Sequence, residues 1–245
     1  MQLFDIFKKQ IPSNEQLCIS AAELILRGKS KQNIKENFSL FIDEMNAQVY
    51  QQYLTAQKEI GQKILEARIS QSAESLYRDL DSFYMSVFQS RKSRAGGAFE
   101  YVIRVLFTSL DYPFSEQVEI DGAKPDFVMP SKDFFVQRPL DCIIFTAKRT
   151  LRERWRQVVT EANKSYGFFL ATIDKKVARN QIEQMAKHKV YLVVPKDLKE
   201  NNEVYAAAYN VLSFEDFFSN HLDPALARWD LKPASLVAEQ KTFFK

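Results

Sequence analysis

Three short apolar runs separated by polar, helix-like stretches constrain this chain more than any other feature. They are residues 140–147 (LDCIIFTA), 167–173 (GFFLATI) and 190–194 (VYLVV), the last closed by Pro195. A strand with one wet face alternates apolar and polar residues. These runs are instead close to continuously apolar, which requires cover on both faces and hence a parallel sheet between layers of helix. Polar helices are expected between them, over residues 151–165 and 176–187. The order strand–helix–strand–helix–strand then implies right-handed crossovers. Upstream, residues 116–120 have β character, Asp121-Gly122 is a turn dipeptide, and residues 125–129 form a short strand, together a hairpin. The expected fold class is therefore α/β, with a mixed central sheet flanked by helices. A short helix is expected over residues 211–218, and the last dozen residues read as a frayed tail.

The first part of the chain has a different character. Residues 13–90 contain no proline, and Gly28 and Gly61 are their only glycines. Ser13 and Gln16 stand at capping-box spacing. Phe41, Met45, Val49 and Tyr53 recur every fourth residue, which predicts an amphipathic helix over residues 38–65. A further helix is expected over residues 73–88. The basic cluster Arg91, Lys92 and Arg94 then leads into Ala95-Gly96-Gly97, read as a loop before a helix over residues 98–110. The expected division is a helical N-terminal region, residues 1–90, followed by an α/β core with a tail, residues 91–245.

Composition narrows the function classes. Of 245 residues, 46% are hydrophobic and 27% charged, ordinary values for a globular chain with a sizeable core. A net charge of +3 neither demands nor forbids a nucleic-acid partner, so any charge for DNA must be local. Two cysteines, Cys18 and Cys142, and two histidines, His188 and His221, lack the spacing of a zinc site. The opening residues contain no signal-like apolar segment, and no apolar run approaches ~18 residues. A cytoplasmic protein with reduced thiols and no membrane partner is the expectation. Twenty Phe and ten Tyr exceed the needs of a minimal core.

One arrangement carries chemistry: Pro125-Asp126 at a strand, then Thr146-Ala147-Lys148 at the end of the next apolar strand. A carboxylate at one strand end can hold a hard cation through oxygen. A lysine beside it can place positive charge near a phosphate under attack. Alone, the pattern is weak, because a loose match is common by chance and a lysine ending an apolar strand opposite an aspartate also reads as a surface cap. Glu161 on the following polar helix and Glu100 ahead of the hairpin could complete an oxygen ligand set. Each also reads as a helix-surface ion pair, Glu161 with Lys164 and Glu100 with Arg104. Residues 148–157 (KRTLRERWRQ) pack five cations and one acid directly beyond Lys148. Arginine forks suit guanine O6 and N7, and a carboxylate accepts from cytosine N4, so Arg152, Glu153 and Arg154 are suited to reading adjacent G and C. A salt-bridged helix face is the other reading of this segment.

The segments Ser93-Arg94-Ala95-Gly96 with Phe99-Glu100, Lys124-Pro125-Asp126-Phe127, and Ala147-Lys148 with Arg154-Trp155-Arg156-Gln157 and Glu161-Ala162 resemble a known family. They are similar to the type II restriction endonucleases of the EcoRII catalytic-domain, PspGI and SsoII group, within the PD-(D/E)xK superfamily. The resemblance covers about residues 90–195 and implies a restriction-endonuclease-like core. It implies Mg²⁺-dependent cleavage of double-stranded DNA at a short symmetric site with CC and GG half-sites, CCWGG-like or CCNGG-like. It makes Asp126, Lys148, Glu161 and Glu100 catalytic, with Asp126, Glu161 and Glu100 on the metal. Arg152, Glu153, Arg154 and Arg94 would contact DNA. A homodimer and a cognate DNA methyltransferase are the implied partners, and the N-terminal helices would serve as a dimerisation and DNA arm. Some members of the group flip a central base pair, which needs a stacking side chain. Phe41, Tyr50 and Tyr53 are the candidates; no motif selects among them, and a core position is the default reading of each. A repair or structure-specific nuclease, and a non-catalytic DNA-binding module on the same core, are the alternatives.

Overall fold

The computed structural model describes residues 10–68, 72–120, 124–151 and 167–229. By their contacts these fall into two compact units. One comprises the residues up to Arg27 with Glu44–Val102, the other Gly28–Asp43 with the residues from Ile103 onward.

The first unit is helical. Its helix Asn14–Ile25 starts with the expected reciprocal cap: Ser13 Oγ accepts from the Gln16 amide, and Gln16 Oε1 accepts from the Ser13 amide at 2.8 Å. The long helix Phe38–Arg68 contains the predicted fourfold stripe. The structure overturns one expectation here. Ala95-Gly96-Gly97 is not a loop but lies inside a continuous helix, Ala73–Ser109. Glycine inside a helix costs about 0.5–1 kcal/mol, so a reason is needed. At Gly97 the reason is close approach, because an added Cβ would come within 2.9 Å of Asn14 Nδ2. That amide donates to the Arg94 carbonyl at 3.1 Å, and Cys18 Sγ reaches the Ala98 carbonyl at 3.8 Å. The bare backbone lets the two helices meet along this line.

The second unit is built on a six-stranded sheet in the order β1 (Ser115–Glu116), β2 (Phe127–Met129), β3 (Ile143–Ala147), β4 (Gly167–Ala171), β5 (Val190–Val194), β6 (Val211–Ser213). Pairs β1/β2 and β2/β3 are antiparallel, and β3/β4, β4/β5 and β5/β6 are parallel. This is the mixed sheet expected, and both its faces are covered. Val128, Ile144, Phe168, Leu170, Val190, Leu192 and Val194 share one core with Ile182 and Met185 of the helix Arg179–Lys187. Phe127, Phe145 and Phe169 take the other face, against the aromatic side chains of Phe107 and Phe217. Alternate residues of one strand thus enter two different cores, which is why the runs look continuous.

Three further expectations are corrected. Residues 140–147 are not all strand: Pro139–Asp141 form a 3₁₀ turn, Leu140 is 69% exposed, and the strand starts at Ile143. Proline at the head of that turn cannot feed a ladder hydrogen bond. Residues 211–218 open with β6, and a helix follows only at Phe214–Phe217, capped by Ser213 and Asp216. The helix expected from residue 176 begins at Arg179. A short helix, Lys132–Gln137, has no counterpart in the sequence reading. The polar helix expected over residues 151–165, the turn at Asp121-Gly122 and the C-terminal tail fall, but for Leu151, outside the described residues. Among the described residues no helix is long and apolar enough to cross a membrane.

The surplus of phenylalanine has its explanation in the second core. Phe107 is fully buried, with ring centroids of Phe145 at 5.2 Å, Phe127 at 5.7 Å and Phe38 at 5.8 Å. Phe38 in turn packs on Phe214 and Phe218 at 5.2 and 4.7 Å. Truncation of such a ring removes its transfer energy and leaves a cavity whose rigid aromatic walls collapse poorly. Phe107→Ala is therefore expected to cost about 3–5 kcal/mol, read as a lowered midpoint in urea unfolding.

Candidate active site

Strand register brings the site together. β2 runs antiparallel to β3 with Phe127 opposite Phe145 and Val128 opposite Ile144. One step back along β2 therefore sets Asp126 opposite Thr146. Side chains two apart on a strand share a face, so Thr146 and Lys148 project on the same side as Asp126. The parallel strands β3 and β4 end together, and the Lys148 amide continues the ladder by donating to the Ala171 carbonyl at 2.9 Å.

The Asp126 carboxylate is buried and its two oxygens are used unequally. Oδ2 accepts from Thr146 Oγ1 and from the Ala147 amide, each at 2.7 Å, and from Lys148 Nζ at 2.9 Å. Oδ1 meets the same ammonium at 3.3 Å. Three donors on one oxygen fix the plane of the carboxylate and leave Oδ1 lightly engaged. The Lys148 side chain is 33% exposed, so its charge stands between the buried acid and solvent. Thr146, two residues before the lysine, is itself buried. Among the described residues no three His, Cys, Asp or Glu side chains gather to hold a metal. The donor chemistry that is present, a buried and oriented carboxylate oxygen, fits a hard cation rather than a soft one.

The remaining predicted residues fall in several places. Glu161, Arg152, Glu153 and Arg154 lie in residues 152–166, outside the described residues. Glu100 is half-buried on the helix Ala73–Ser109, in the first unit. Arg94, in the same unit, donates to the Pro12 carbonyl at 2.5 Å and sits 5.7 Å over the Tyr53 ring. Burial pulls its pKa below the usual arginine value. Phe41 and Tyr53 are buried, whereas Tyr50 is 52% exposed. Sequence reasoning did not assign Thr146 a role. Its place directly opposite Asp126 follows from the register and was readable once β2 and β3 were paired.

The fold defines a class. A solved structure of metal-depleted Ecl18kI with uncleaved, modified DNA superposes with a TM-score of 0.78 at 24% identity, over 94% of this chain and 85% of that chain. A restriction endonuclease PspGI–substrate DNA complex gives a TM-score of 0.70 at 21% identity, over 91% of this chain and 96% of that one. The architecture is the restriction-endonuclease fold. Residues 54–218 match the model of the family described as EcoRII C terminal. The chain belongs to that family. The type II restriction enzyme SsoII of Shigella sonnei is 29% identical over 150 residues, 57% of this chain and 48% of SsoII. The type II restriction enzyme EcoRII of Escherichia coli is 33% identical over 118 residues, 46% of this chain and 29% of EcoRII. The chain thus aligns with about half of one relative and under a third of the other.

Proposed function

We propose that this protein is a type II restriction endonuclease, a site-specific deoxyribonuclease acting on double-stranded DNA. The observation that carries the reading is the pair Asp126–Lys148. It is a buried carboxylate held by three donors, with an ammonium at 2.9 Å, at adjacent strand tips in a chain of the EcoRII C terminal family. The names of SsoII and EcoRII point the same way.

The chain's own residues then divide the work. Asp126 offers Oδ1 to a cation, with Glu161 and Glu100 as further oxygen donors. Mg²⁺, when bound, supplies Lewis-acid polarisation of the phosphate and a more acidic water. Lys148 stabilises the negative charge that builds on the phosphate as water adds to phosphorus and the sugar oxygen leaves. Thr146 Oγ1 and the Ala147 amide keep Asp126 from rotating away. Arg152, Glu153 and Arg154 read CC and GG half-sites, and Arg94 contributes to DNA contact. Two copies are needed to cut both strands of a symmetric site, which favours a homodimer. Of the three aromatic stacking candidates, Tyr50 is the one whose ring is accessible to an extruded base.

A host carrying such an enzyme requires a cognate DNA methyltransferase. Digestion of a sequenced plasmid in Mg²⁺, with the ends mapped, tests the proposal. Discrete fragments ending at one symmetric CC…GG site are expected in Mg²⁺, and none in Ca²⁺, whose looser coordination positions water poorly. A smear without a common end sequence would instead mean a structure-specific nuclease, and binding without any cutting a DNA-binding module. Arg154→Ala is expected to weaken cognate binding by about 1–3 kcal/mol and to relax preference at one position. Titration of the variant against duplexes altered at each position measures this, and an unchanged preference would remove Arg154 from base reading.

A further inference from the structure

We propose that Thr172 and Asp174, just beyond the tip of β4, are positioning residues that tie the reading of bases to the attack on phosphate. The inference rests on the endonuclease reading. Residues 148–151 join Lys148 to the arginine-rich segment and form no regular secondary structure. Such a linker is ordinarily loose and solvated. Here it is sewn to the neighbouring strand end at three successive points. The Lys148 amide donates to the Ala171 carbonyl at 2.9 Å, Thr172 Oγ1 donates to the Arg149 carbonyl at 3.2 Å, and the Leu151 amide donates to Asp174 Oδ2 at 3.0 Å. Leu151 is buried at the end of this seam.

The two side chains that make the seam are themselves locked. Thr172 is fully buried, its amide donates to the Val193 carbonyl at 2.9 Å, and its Oγ1 accepts from the Asp174 amide at 3.1 Å. The other Asp174 oxygen accepts from the Lys176 amide at 3.0 Å. The Asp174 carbonyl accepts from the hydroxyl of the fully buried Tyr205, which accepts from the Val177 amide at 3.0 Å. Thr172 and Asp174 lie beyond the paired residues of β4, which end at Ala171. Besides their bonds within residues 172–176, the side chains of Thr172 and Asp174 reach the Arg149 carbonyl and the Leu151 amide. Residues 149–151 lead directly into the residues proposed to read base edges, a task that needs placement within a fraction of an ångström, and these bonds fix that lead-in.

The test compares cleavage of a duplex carrying the mapped site with the same duplex altered at one base pair, alongside thermal unfolding of each variant. Asp174→Ala and Thr172→Val should lower the ratio of cognate to altered-site cleavage by about tenfold or more. Thr172→Ser, which keeps the hydroxyl, should restore the ratio. Thr172→Val preserves side-chain volume and serves where Asp174→Ala does not fold. A ratio unchanged in the folded variants, with only the melting temperature reduced, would overturn the inference and leave the endonuclease reading intact. Wild-type protein that cuts both duplexes equally would overturn that reading, and the inference with it.

Discussion

Lys148→Ala is expected to abolish cleavage while cognate DNA is still bound. The ammonium lies 2.9 Å from Asp126 Oδ2, yet a third of the side chain reaches solvent, so it faces whatever docks at the strand tips. Loss of one preorganised donor at a developing oxyanion costs about 10²–10³ in rate. Loss of a full charge in a partly water-excluded site belongs at or beyond the upper end of that range. Binding is a different matter, because affinity for DNA is spread over many phosphate contacts and one lysine removes a single increment. Lys148→Arg should not rescue. A planar fork cannot occupy the place of a compact ammonium against Asp126 without moving Thr146 or the β3 backbone. Single-turnover cleavage in Mg²⁺ and equilibrium binding in Ca²⁺ separate the two effects. Cleavage within about tenfold of wild type would remove Lys148 from the chemistry, since that is a loss of only about 1.4 kcal/mol in the barrier.

The parts of this fold that were legible in the sequence are those where local pattern and tertiary environment agree. β3, β4 and β5 stand out because both their faces are apolar, and the pairing of β2 with β3 turns the motif Pro125-Asp126 with Lys148 into a spatial neighbourhood. The parts that were not legible depend on distant partners. Gly96-Gly97 carries every local sign of a loop, yet both lie inside the continuous helix Ala73–Ser109, where Asn14 on another helix comes close to Gly97. Val211–Ser213 is too short for a period of two to emerge, and its strand character comes from pairing with Leu192–Val194. Pro139 was a usable signal that residues 140–142 were not strand. Thr146, Thr172 and Asp174 are ordinary polar residues in one dimension. Their meaning arises only when the strand tips carrying their partners are brought side by side.

Asp126→Ala should separate catalysis from stability in an instructive way. On the catalytic side the variant loses the carboxylate proposed to hold the ion, together with the Lys148 ammonium's partner at 2.9 Å. Several kcal/mol of transition-state stabilisation go with it, which at about 1.4 kcal/mol per decade is a loss of at least about a thousandfold. On the stability side the sign depends on what is left behind. Alanine orphans the Ala147 amide and the Thr146 hydroxyl in a buried setting, a penalty of about 1–3 kcal/mol. Asp126→Asn should be equally inactive but less destabilised, because its amide oxygen can still accept from the Ala147 amide. The expected pattern is two dead enzymes of unequal stability, compared by urea unfolding in EDTA so that no ion contributes to the folded state. Equal stability of the two variants would mean that water replaces the carboxylate at Ala147 and Thr146. Substantial activity in either would show that the ion and the attacking water are organised somewhere other than the tips of β2 and β3.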